Sequence, residues 1–75
     1  MFGRLVEIIC NYVEVELEDI HENSRFIEDL GFTSFDFMSM LGELEEEFDV
    51  EIDQQEVANI RTVGQAEAYL KQLLD

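Results

Sequence analysis

Between residues 3 and 15 the apolar side chains Leu5, Ile8, Ile9, Tyr12 and Val13 recur at the spacing that lines one face of a helix. The period then lapses. Residues 16–33 hold Asn23, Ser24 and Gly31 among the apolar Phe26, Ile27 and Leu30, which predicts a long loop pinned by apolar anchors. A loop of that length in a compact domain usually serves a function. The period returns from about Phe35 to Phe48, predicting a second helix. Thr33 followed three residues later by Asp36 resembles a capping box at its start, and Ser34 is the other candidate cap. Asp53 with Glu56 repeats the pattern before Val57 and Ile60, predicting a short third helix. Thr62 with Gln65 repeats it again, ahead of a last helix expected to bury Val63, Ala66, Tyr69, Leu70, Leu73 and Leu74. Only DVEI at 49–52 alternates like a strand, and it is too short to pair alone. The expected fold is all-α, with three main helices, a short one, and a long loop between the first two.

The second helix carries more apolar residues than one core face needs. On a wheel, Phe37, Met40, Leu41, Leu44 and Phe48 fall within about 100° of arc, a complete core stripe. Phe35 and Met38 fall on another side, beside Ser39 and Gly42, with Asp36, Glu43 and Glu46 flanking them. An apolar patch ringed by acids reads as a docking surface; the less favoured alternative is that Phe35 and Met38 pack under the long loop. Ser34 opens the same helix. A helix N-terminus presents free backbone N–H groups and a positive dipole end, so a phosphate ester is tolerated there. On these local signals alone, Ser34 reads more readily as a helix cap.

Charge narrows the function classes. Nineteen acids face four bases, Arg4, Arg25, Arg61 and Lys71, for a net charge of −15, and no base lies between Arg25 and Arg61. Such a chain repels nucleic acid and anionic membrane and attracts basic protein surfaces. The 75 residues suit one domain, residues 1–75, and an apolar fraction of 47% supports a real core. No apolar run is long enough to span a membrane. Glu7 interrupts the apolar start and no small-residue cleavage site follows, so the start reads as helix and not as a signal peptide. Cys10 is alone, which excludes an internal disulfide and suits a reducing compartment such as the cytoplasm. Asp49, Glu51 and Asp53 have the first spacing of a calcium loop, but Gln54 and Ile60 stand where Gly and Glu are needed. No metal site is expected. His21 is the only histidine and has no implied acid or nucleophile partner, so no catalytic residue is expected either.

Three stretches taken together resemble one family. FIEDLGFTSFDF at 26–37, LEEEFDVEI at 44–52 and IRTVGQAEAYL at 60–70 are similar, in register over nearly the whole chain, to bacterial acyl carrier proteins. The resemblance implies a four-helix bundle with a short third helix. It also implies a carrier with no catalysis of its own, holding acyl groups as thioesters on a 4′-phosphopantetheine arm. The family serine corresponds to Ser34, which a phosphopantetheinyl transferase would modify from coenzyme A. Ser24 lies before the EDLG stretch and Ser39 lies mid-helix, so both match the family position worse. The resemblance further implies an acyl cavity involving Phe37, Met40, Leu41 and Phe48. Partner enzymes with basic docking patches would meet Asp36, Glu43, Glu46 and Glu47, with Phe35 and Met38 as apolar contacts. A monomer acting in fatty-acid or related biosynthesis is expected. Thr33, Phe35 and Ser39 replace the family's usual Asp, Leu and acidic residue; Phe35 keeps the apolar contact, while the loss of acid at Thr33 and Ser39 leaves open a specialised carrier for polyketide or aminoacyl transfer. A reading of another class is an acidic interaction module that never carries an arm.

Overall fold

The computed structural model describes all 75 residues, Met1–Asp75. Four helices follow in order: α1 Phe2–Ile9, α2 Ser34–Phe48, α3 Gln54–Val57 and α4 Val63–Leu74. No strand forms; one isolated antiparallel bridge joins Arg25 to Thr62.

The helix starts follow from their capping residues. Thr33 Oγ1 accepts from Asp36 N at 3.0 Å while Asp36 Oδ2 accepts from Thr33 N at 3.1 Å, a reciprocal box that satisfies two orphan amides. Thr62 and Gln65 form the same box at α4. At α3, Asp53 Oδ1 accepts from Gln55 N, so the cap acts one residue earlier than the Asp53–Glu56 spacing predicts. The α2 helix ends at Asp49 in the left-handed conformation (φ 54), its amide returning to the Glu45 carbonyl. The 49–52 stretch is a connection: Val50 N donates to Glu45 O and Ile52 N to Glu45 Oε2.

The first helix is shorter than its apolar period. It closes at Ile9, after which Asn11 N reaches Ile8 O and Tyr12 N reaches Ile9 O in tighter three-residue turns. Asn11, Val13 and Val15 favour a helix weakly, and Tyr12 finds a tertiary partner instead, its hydroxyl donating to Glu43 Oε1 at 2.7 Å. Tyr12 and Val13 still pack against the core, so the apolar period survives where the helix does not.

One cluster of seventeen buried apolar residues draws on all four helices and on the 10–33 loop. From α2 come Met40, Leu41 and Leu44; from α4, Val63, Ala66, Tyr69 and Leu70. Leu73 is partly buried, whereas Leu74 is about half exposed and lies outside the core, contrary to expectation. The loop is anchored by Phe26 and Leu30, as its sequence suggests, and also by Ile20 and Phe32. Ile27 is exposed instead. Phe26 makes edge-on contacts with Phe32 and Phe37, both at 5.3 Å between ring centres. Gly31 turns the chain at φ 80, a conformation that costs a side-chain-bearing residue energy.

Three hydrogen bonds clamp this loop onto the start of α4. Gly64 N donates to Glu22 O at 2.7 Å, Val63 N to Ser24 O at 3.0 Å, and Phe26 N to Arg61 O at 3.0 Å. The clamp satisfies two amides of the first turn of α4 that no helical carbonyl can reach. It also fixes the loop that leads into α2.

Candidate functional site

The Thr33–Asp36 box decides the local competition over Ser34. Thr33 is the N-cap and Ser34 is the first helical residue, exposed, with its hydroxyl outside the box. The box satisfies Asp36 N, and Phe37 N is taken by Thr33 O. The amides of Ser34 and Phe35 stay free at the positive end of a fifteen-residue helix. Ser34 therefore presents a free nucleophilic oxygen beside two donors suited to a phosphate oxygen.

A groove of about 500 Å³ begins at Ser34. Phe37 and Met38 of α2, Phe26 and Ile27 of the loop, and Val57, Ala58 and Ile60 around α3 give it apolar walls. Glu28 and Arg61 are its charged members. Of the four residues expected at an acyl cavity, the groove includes only Phe37. Met40 and Leu41 lie deeper, as core residues, and Phe48 is partly buried at the far end of α2. The groove gets its other walls from Ile27 and the α3 region. A wheel of α2 alone gave no sign of them, because such a wall is built from segments distant in sequence.

The outer face of α2 is as apolar as its wheel suggests. Phe35 is 78% exposed and Met38 46%, so neither is packed under the loop. The flanking acids are less free. Asp36 is held in the capping box. Glu43 accepts from Tyr12 and, at 3.3 Å, from Asn11. Glu47 takes a two-pronged bond from Arg4, both contacts at 2.9 Å, which holds its carboxyl below the usual carboxylate range. Glu46 alone of the four has no internal partner. The ties of Glu43 and Glu47 were illegible in sequence, since they join residues more than thirty positions apart.

Comparison with known proteins places the chain. Residues 3–70 match the family described as "Phosphopantetheine attachment site". The chain belongs to the acyl carrier protein family. It is 42% identical over 64 residues to an acyl carrier protein of Chlamydia felis, covering 85% of this chain and 82% of that one. It is 35% identical over 71 residues to one of Wolinella succinogenes, covering 95% and 93%. Among solved structures, an acyl carrier protein from Enterococcus faecalis superposes with a TM-score of 0.83 at 29% identity, over 96% of this chain and 91% of that one. This carrier thus has the helical fold of the family and is a non-catalytic acyl carrier. Its prosthetic group is a covalently attached 4′-phosphopantetheine, and it works with partner enzymes. No helix is long and apolar enough to cross a membrane.

Proposed function

We propose that Ser34 is the attachment point of the phosphopantetheine arm and that the chain serves fatty-acid biosynthesis, or a closely related pathway, in the cytoplasm. The observation that carries the Ser34 assignment is the division of labour at the start of α2. Thr33 does the capping, so Ser34 Oγ can be esterified without removing a hydrogen bond that the helix needs. The free Ser34 and Phe35 amides and the helix dipole favour the negative charge the ester brings. When bound, the arm supplies a terminal thiol on which acyl groups are held as thioesters.

The chain's own residues then orient and shelter. The apolar groove beside Ser34, walled by Phe37, Ile27 and Ile60, offers an acyl chain a place away from water. Phe35 and Met38 present apolar contacts to a phosphopantetheinyl transferase and to acyl-transferring or synthase enzymes. The net charge of −15 draws basic docking patches toward them. Glu46 is the acid of α2 best placed to pair with such a patch, because its neighbours are already engaged.

The test is intact mass after incubation with coenzyme A and a broad-specificity transferase. One phosphopantetheine should add to the wild type and none to Ser34→Ala. A wild type of unchanged mass, or a Ser34→Ala chain that gains the arm, refutes the assignment. The mass of the cargo on protein purified from its native cell assigns the pathway.

A further inference from the structure

Arg61 differs from the other three basic residues. Arg4 grips Glu47, Arg25 grips Asp29, and Lys71 lies 3.8 Å from Glu67. Arg61 has no carboxylate within 4.0 Å, in a chain where acids outnumber bases nineteen to four. It lines the groove that begins at Ser34. Its main chain is held on both sides: its amide donates to Gln65 Oε1 at 2.7 Å and its carbonyl accepts from Phe26 N at 3.0 Å. The neighbouring Thr62 is bridged to Arg25. An exposed side chain thus rises from a fixed base with its planar donor fork unused.

The groove also contains Glu28. The Glu28 carboxylate already lies 3.9 Å from Arg25, which leaves Arg61 as the one groove cation free to receive a phosphate placed at Ser34. Arginine's fork matches phosphate oxygens in a way that an ammonium group does not.

We propose that Arg61 is a positioning residue for the prosthetic arm. Its guanidinium holds the phosphodiester on the groove side of the α2 N-terminus. The arm then leaves Ser34 toward the groove instead of into open solvent. This inference rests on Ser34 being the attachment point.

The test compares apo protein with holo protein that carries no acyl cargo, after intact mass has shown the arm in place. In the wild type, the Nε–H resonance of Arg61, assigned by its absence from Arg61→Ala, should move downfield on loading. Those of Arg4 and Arg25 should stay. The phosphorus resonance of the holo protein should shift in Arg61→Ala and return part of the way in Arg61→Lys, which keeps the charge and loses the fork. An immobile Arg61 resonance overturns the proposal, as does an equal movement of all three arginines. So does a phosphorus resonance indifferent to Arg61→Ala. An Arg61 effect that appears only once a carboxylate-bearing cargo is loaded also overturns it, since the anion held would then be the cargo's. Absence of the arm from the wild-type mass removes the Ser34 reading and this inference together. An arm in place with Arg61 unmoved removes this inference alone.

Discussion

Replacing Gly64 by alanine tests the clamp that fixes the loop before Ser34. A Cβ built there lies 2.9 Å from the Glu22 carbonyl oxygen and 3.2 Å from Glu22 Cβ. Two effects compete. Alanine is preferred over glycine within helices by about 0.5–1 kcal/mol. Against this stands an overpacking cost of about 1–3 kcal/mol, because the obstacle is main chain and cannot rotate away. Backing Glu22 off also stretches the 2.7 Å bond from Gly64 N, a contact worth about 0.5–1.5 kcal/mol. The steric cost prevails, and Gly64→Ala should lose about 1–2 kcal/mol. For a chain of this size that lowers Tm by roughly 4–15 °C. Gly42→Ala is the matched control. It lies within α2 with nothing within 4 Å of its added Cβ, so it should gain up to about 1 kcal/mol. Urea denaturation of both variants, with amide exchange at Phe26, Val63 and Gly64, makes the comparison. If Gly64→Ala equals or exceeds the wild type in stability while Gly42→Ala behaves as stated, Glu22 yields freely and the clamp does not hold the loop.

Burial and the bond to Glu43 push the Tyr12 phenol up to about 12 from the usual 10.0. With the folded value above the unfolded one, the contribution is complete below about pH 10 and is lost as pH rises toward 12. Urea midpoints across that range should fall less steeply in Tyr12→Phe, and equal slopes would refute the coupling. At neutral pH, Tyr12→Phe should itself cost about 1 kcal/mol by thermal denaturation, the loss of one half-buried hydrogen bond. Sodium chloride, and magnesium more strongly at equal ionic strength, should raise Tm by screening the charge of −15, even though salt also weakens the five ion pairs; a flat response would show that repulsion does not limit stability. Phe35→Ala should change stability by less than about 0.5 kcal/mol while lowering the transferase's kcat/KM, and Met38→Glu should weaken partner binding more than folding. A large loss of folding stability in either variant would place that side chain in the core.

What was legible in the sequence was local. The starts of α2 and α4 were readable because a capping box is written within four residues, as Thr33–Asp36 and Thr62–Gln65. The core stripe of α2 was readable because helical period and burial coincide at Met40, Leu41 and Leu44. Where two segments had to meet, the sequence was silent. The extra length predicted for α1 arose because Tyr12 and Val13 keep a helical spacing while packing from turns. Ile20 and Phe32 gave no periodic signal, because irregular backbone has none, yet both are buried. The same limit applies to the site. Ser34 stood out only through the motif around it, and its freedom from capping duty required the observed bonds of Thr33. The groove combines α2, the loop and the α3 region, and no single-helix pattern encodes such a wall.

The Thr33 cap has a consequence for how such a protein is made and used. Since the first turn of α2 does not depend on the Ser34 hydroxyl, the bundle can reach its full stability before any modifying enzyme meets it. On the Ser34 assignment proposed above, modification acts on a finished fold. Assembly and loading are then separable in time, since neither waits on the other's hydrogen bonds.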